Sequence, residues 1–140
     1  MNETKCNIWD SGADIICITT NGIVKTNGEL VMGAGLARQA SIRYPELPNI
    51  FGRWVSVHGN VPCEYITDSG QTIVSLPTKN DWRDDSDLDL IVDSLIAISN
   101  MFPDMSIAMT RPGCGLGGLD WAAVRHAIVS LLDDRFTVYS

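Results

Sequence analysis

Asp14-Ile15-Ile16-Cys17-Ile18-Thr19 carries four apolar residues in a row, three of them β-branched isoleucines. A strand wetted on one side alternates apolar and polar residues, whereas a continuous run is expected of a strand covered on both faces. The stretch therefore predicts a central strand of a parallel sheet with helices above and below. Reading outward, Lys5–Trp9 is a candidate first strand. A helix is expected over Gly35–Tyr44, closed by Pro45, and a short one over Pro48–Val57 with Phe51 and Trp54 on one side. Cys63–Thr67 and Thr72–Leu76 read as strands about the turn Asp68-Ser69-Gly70. Ser86 is placed to cap a helix, with Asp89 completing a capping-box pattern and Leu88, Ile91, Val92, Leu95 and Ile98 at helical spacing. Ser106–Thr110 reads as a strand. Asp120 is placed to cap a last helix whose face carries Trp121, Val124, Ile128, Leu131 and Leu132, and Thr137–Tyr139 closes the chain as a strand. The alternation predicts an α/β fold: a three-layer α/β/α sandwich around a mostly parallel mixed sheet, in a single domain spanning 1–140.

Composition narrows the function. The 140 residues are 45% apolar and 19% charged, a globular balance. Ten basic residues against seventeen acidic ones give a net charge of −7 and a pI near 4.5. So acidic a protein repels a phosphate backbone at long range, which argues against a general nucleic-acid binder. No apolar run is long enough to span a bilayer, and Met1-Asn2-Glu3-Thr4-Lys5 lacks the order of a signal peptide. A cytoplasmic monomer away from membranes is expected. Cys6, Cys17, Cys63 and Cys114 form no CxxC pair, and His58 and His126 stand alone, so neither a disulfide framework nor a metal site is expected.

Two glycine clusters carry the chemistry. Asn21-Gly22 through Val31-Met32-Gly33-Ala34-Gly35 follows the Asp14–Thr19 strand and leads into a helix. Arg111-Pro112-Gly113-Cys114-Gly115-Leu116-Gly117-Gly118 follows Ser106–Thr110 and leads into another. In such sheets ligands bind beyond the carboxyl ends of strands. Glycine lets the backbone approach a ligand, and a helix start offers free N–H groups that favour phosphate. Two such loops on neighbouring strands suit a pyrophosphate. Gly113-x-Gly115-x-x-Gly118 formally matches the dinucleotide fingerprint, but too little chain follows it, and Asp133 and Asp134 precede the last strand where the ribose-binding acid should end one. No GK[ST] phosphate loop occurs.

Asp14-Ile15-Ile16, Thr19-Thr20-Asn21-Gly22, Val31-Met32-Gly33-Ala34-Gly35-Leu36-Ala37 and Gly113-Cys114-Gly115-Leu116-Gly117-Gly118-Leu119-Asp120-Trp121 together resemble the macrodomain family. Leu76-Pro77-Thr78-Lys79-x-x-Trp82-Arg83-x-x-Ser86-x-Leu88 resembles one branch of it, the ADP-ribosyl glycohydrolases related to antitoxins that strip ADP-ribose from DNA. The resemblance runs through nearly the whole chain. It implies an ADP-ribose site in which Asp14 accepts a hydrogen bond from the adenine amino group and Asn21 contacts the distal ribose, with Ile15 and Thr20 also among the ligand-binding residues. Met32, Gly33, Ala34, Gly35 and Leu36 then cover ribose and phosphate, and Gly113, Cys114, Gly115, Leu116, Gly117 and Gly118 form the second phosphate loop.

The same resemblance makes Lys79 the catalytic candidate, beside the anomeric carbon of the distal ribose. Two roles are open: an amine that forms a Schiff base with the opened sugar, or an ammonium that orients and stabilises the leaving group. Some relatives carry an aspartate directly after the GCGL tetrad, where it helps release a lysine adduct; here Gly117 stands there, which favours the second role. Asp120 reads as a helix cap, Trp82 as a packing residue, and Arg83 equally as a ligand contact or half of an ion pair. Asp81, Asp84 and Asp85 read as a solvated face, with a catalytic base as the sharper alternative. The implied activity is metal-independent hydrolysis, without a cofactor, of ADP-ribose from a modified acceptor, with ADP-ribosylated DNA one candidate. Dephosphorylation of ADP-ribose 1″-phosphate and non-catalytic reading of ADP-ribose are the alternatives. If DNA is the acceptor, Lys25, Arg38, Arg43 and Arg53 are the cations available as a local patch.

Overall fold

The computed structural model describes all residues, Met1–Ser140. Strand β1 is Asn2–Thr4 and β2 is Ile15–Thr20, followed by helices α1, Gly35–Arg43, and α2, Leu47–His58. Strands β3, Glu64–Ile66, and β4, Thr72–Pro77, form a hairpin, and α3 spans Leu88–Met101. Strand β5 is Ile107–Met109, α4 is Trp121–Ile128, and β6 is Phe136–Tyr139. The sheet runs β1-β6-β5-β2-β4-β3, with every pairing parallel except the hairpin β3–β4. This is the mixed, mostly parallel sheet expected from the sequence.

The apolar run does what its pattern implies. Ile15 and Cys17 point to one face of the sheet, into a core with Leu95, Ile98 and Phe136 from α3 and β6. Ile16 and Ile18 point to the other, among Leu47 and Phe51 of α2. All four β2 residues are fully buried, and each such isoleucine is worth roughly 1.5–3 kcal/mol over an exposed one. Burial on both faces makes β2 the axis of three layers.

Several local expectations are corrected. The first strand is not Lys5–Trp9: β1 lies earlier, in register with Thr137–Tyr139, and Ile8–Asp10 is a turn of 3-10 helix capped by the Asn7 carbonyl oxygen, which accepts the Trp9 N–H at 3.0 Å. Asn2-Glu3-Thr4 is an exposed edge strand and carries no apolar signal. Asp87, not Ser86, caps α3, accepting the Leu90 N–H at 3.2 Å. Asp120 occupies the position before α4 but makes no capping bond, and α4 ends at Ile128, ahead of Leu131 and Leu132. On α2 Phe51 is fully buried, while Trp54 lies partly exposed against the His58 ring, centroids 3.9 Å apart. No helix is long and apolar enough to cross a membrane.

Candidate functional site

A cleft of about 1510 Å³ opens across the carboxyl ends of the strands. Pairing of β2 with β5 brings the two glycine loops face to face across it. On one side, Val31–Leu36 passes over the cleft into α1, whose first residue, Gly35, has φ +55°. Ala34 before it offers no side-chain cap, so the amides at the start of α1 are left for a ligand. Asn21 braces this loop: its carbonyl oxygen accepts the Ile23 N–H at 2.9 Å and its amide donates to the Val31 carbonyl at 2.9 Å. One amide hydrogen of Asn21 is left over for a ligand.

The second loop, Arg111–Leu119, is tied down by backbone bonds. Leu119 N–H reaches the Gly113 carbonyl at 2.9 Å, and Ser86 N–H reaches the Gly117 carbonyl at 2.8 Å. Ser86 is thus not a helix cap but a strut beneath the loop, with its buried hydroxyl unpartnered. A Cβ on Gly117 would stand 2.1 Å from that hydroxyl and 2.5 Å from the Gly113 carbonyl. Packing therefore requires glycine where some relatives have the releasing aspartate. Cys114 also lines the cleft, and burial is the main cause holding its thiol above the ordinary value. It stays a neutral thiol at physiological pH and is a poor nucleophile.

Lys79, on the loop after β4, spans the gap. Its Nζ donates to the carbonyls of Leu116 and Trp82, each at 3.4 Å. The ammonium thus sits between a residue of the second glycine loop and its own turn. That turn is held from behind by Asn60, whose amide donates to the Lys79 carbonyl at 2.9 Å and to Asn80 Oδ1 at 3.1 Å. Gly22 N–H adds a bond to the Asn80 carbonyl at 3.1 Å, and a Cβ on Gly22 would crowd that carbonyl at 2.9 Å. Asp81 is no free base: it accepts from Arg83 N–H, Nε and Nη2 at 3.0, 2.9 and 2.7 Å. The side-chain bond from Arg83 lowers its pKa to about 2. Trp82 is not packed but about half exposed.

Most sequence-derived site residues meet in this cleft: Thr20, Asn21, the Met32–Leu36 stretch, Lys79 and the Gly113–Gly117 stretch all line it. Asp14 and Ile15 do not. Asp14 precedes β2, at the end of the strand away from the cleft, where its carboxylate accepts from Ser106 N–H at 3.0 Å and Ser106 hydroxyl at 3.1 Å. Ile15 is fully buried in the core. An adenine contact by Asp14 is therefore excluded by position. Gly118 is likewise outside the lining, a positive-φ turn residue against Asp85. Residues that sequence reading passes over close the far end: Asn7 and Ile8 from the 3-10 turn, Tyr139 at the end of β6, and Arg111. Arg111 lies over the Trp121 ring at 5.4 Å, making no ion pair, which leaves it a cation for a bound anion. No group of three or more His, Cys, Asp or Glu side chains is arranged to hold a metal ion.

No protein-family model matches the chain. A curated protein of Mycobacterium tuberculosis named DNA ADP-ribosyl glycohydrolase is 34% identical over 128 residues, an alignment covering 84% of this chain and 36% of that protein. The chain thus spans little more than a third of the length of the curated relatives it matches. Among solved structures, the macrodomain of Mycobacterium tuberculosis DarG superposes with a TM-score of 0.81 at 26% identity, over 99% of this chain and 95% of that one. Thermosipho africanus DarTG in complex with ADP-ribose superposes at 0.79 and 22% identity, over 99% of this chain and 41% of that one. Sheet order, layers and rim cleft define a macrodomain. The chain has the macrodomain fold and resembles the macrodomains of DNA ADP-ribosyl glycohydrolases.

Proposed function

We propose that the protein binds ADP-ribose in the rim cleft and hydrolyses the bond joining it to a nucleic-acid base, with Lys79 as the catalytic residue. The observation that carries the reading is the Lys79 ammonium bridging from its own turn to Leu116 of the second glycine loop. The amides at the start of α1 and of the Gly113–Gly117 stretch hold the diphosphate, as backbone N–H groups do without net positive charge. That reconciles an anionic ligand with a chain charge of −7. The leftover Asn21 amide hydrogen meets a ribose hydroxyl. Water adds to the anomeric carbon as its bond to the base nitrogen breaks. The electron pair leaves with the base, which takes up a proton, and the sugar gains the hydroxyl. Lys79 stabilises charge developing on the leaving base and orients the ribose. Gly117, fixed by packing, leaves no aspartate to release a lysine adduct, which favours this role over a Schiff base.

Wild type and Lys79→Ala, incubated with an ADP-ribosylated single-stranded oligonucleotide, an ADP-ribosylated protein and ADP-ribose 1″-phosphate, provide the test. Release of ADP-ribose from the oligonucleotide is expected from wild type, unchanged by EDTA. Lys79→Ala should lose at least a hundredfold in kcat, about 2.7 kcal/mol of barrier, with ADP-ribose affinity within a few-fold. Full turnover by Lys79→Ala would remove the assignment, and binding without turnover on any substrate would make the protein a reader.

A further inference from the structure

We propose that the exposed indole of Trp82 is the platform on which the acceptor base stacks while Lys79 acts at the bond joining that base to the sugar. This deepens the hydrolase reading and rests on it. The indole and Lys79 line the same cleft, and the Lys79 ammonium donates to the Trp82 carbonyl at 3.4 Å. A base leaving from the anomeric carbon beside Lys79 thus departs into a cleft whose wall includes Trp82.

Trp82 does not look like a core residue pushed outward. It stays 51% exposed beside the cleft, while Leu76 and Ile91 of the flanking strand and helix are fully buried. A cation stands over one face of the indole. The Arg83 guanidinium lies 5.5 Å from the ring centroid and is itself held by two bonds to the Asp81 carboxylate, from Nε at 2.9 Å and Nη2 at 2.7 Å. A ring held this way presents open aromatic surface with little ordering left to lose on binding. Stacking on an aromatic side chain is a recurrent way to hold an unpaired base, and it tolerates any base because every base has a π-face. With a chain charge of −7, long-range attraction to a phosphate backbone is lacking, and a base contact supplies part of what it does not. A peptide ADP-ribosylated on a serine hydroxyl, the control for this test, offers no such planar face at the modified atom.

The test uses Trp82→Ala and Trp82→Phe in the full chain. With an ADP-ribosylated single-stranded oligonucleotide, Trp82→Ala should raise KM at least tenfold with kcat within threefold, and Trp82→Phe should stay within threefold of wild type. Free ADP-ribose should bind all three proteins equally by calorimetry, and an ADP-ribosylated peptide should be handled alike by all three. An unchanged oligonucleotide KM would overturn the proposal. So would a parallel loss of free ADP-ribose affinity, which would make Trp82 part of the nucleotide pocket, or an equal loss on the peptide. If wild type releases nothing, the hydrolase reading fails. Stacking is then read from binding alone, as whether Trp82→Ala weakens the oligonucleotide relative to free ADP-ribose in a Lys79→Ala background.

Discussion

The two glycine loops look alike as sequence and differ as structure. In the first, a Cβ added to Gly33 or Gly35 would meet nothing within 4 Å, so those glycines border open cleft. In the second, Gly113 and Gly117 are packed. A Cβ on Gly113, where φ is +77°, would come within 2.8 Å of Ile91 Cδ1, and one on Gly117 within 2.1 Å of the Ser86 hydroxyl. Only Gly115 is open there. The Val31–Leu36 stretch of the first loop uses glycine to leave room for a ligand, although Gly22 at that loop's start is packed against the Asn80 carbonyl, and the second loop uses it mainly to let its own backbone fold against α3.

Substitution should separate the two loops, and the packed one should show the larger effect. Gly117→Ala is expected to cost about 3 kcal/mol of stability, near the upper end for overpacking, read as a lowered midpoint in denaturant unfolding. Removing the Ser86 side chain in the same protein should restore only part of it, because the Gly113 carbonyl remains 2.5 Å from the new Cβ. Gly33→Leu should behave oppositely: stability within about 0.5 kcal/mol of wild type, as for an unhindered surface change, but ADP-ribose affinity lower by tenfold or more, about 1.4 kcal/mol. Equal unfolding midpoints for the two variants would erase the distinction between the loops.

The same contrast explains what was legible in the residues. The fold is readable because β2 states its double burial locally, in Ile15, Ile16, Cys17 and Ile18, and because helix α3 repeats its apolar residues at a fixed spacing. Loop positions are readable too, since glycine clusters follow strands. What a glycine faces is not wholly local: Gly33 meets nothing, whereas Gly117 meets Gly113 of its own loop and Ser86, which tertiary packing brings up. Asp14 is misplaced for a different reason. Like Ile15 beside it, it stands at the amino end of β2, and in a parallel sheet the ligand loops lie at the carboxyl ends. Strand direction alone was enough to exclude it. Trp82 stands in the Thr78-Lys79-x-x-Trp82-Arg83 motif but reads there as a packing residue, and Asn60 belongs to no motif; the exposure of the one and the bonds of the other arise only in the tertiary structure.

Asn60 offers the smallest and most diagnostic break. The Lys79 turn is fastened to the second loop through the lysine ammonium on Leu116, and to the first loop's side through Asn60 and the Gly22–Asn80 bond. If Lys79 acts only where both fastenings hold it, loosening one should slow the chemical step without emptying the cleft. Asn60→Ala removes two hydrogen bonds, at 2.9 and 3.1 Å, on the side away from the ligand. One of the freed partners, the Asn80 side chain, is exposed and regains water; the Lys79 carbonyl is the group left poorly paired. The expected effect is therefore about 1 kcal/mol, seen as a roughly fivefold lower kcat with KM within twofold. A matching rise in KM would mean that Asn60 shapes the binding surface itself. An unchanged kcat would mean that the carbonyls of Leu116 and Trp82 and the strand end hold Lys79 without Asn60.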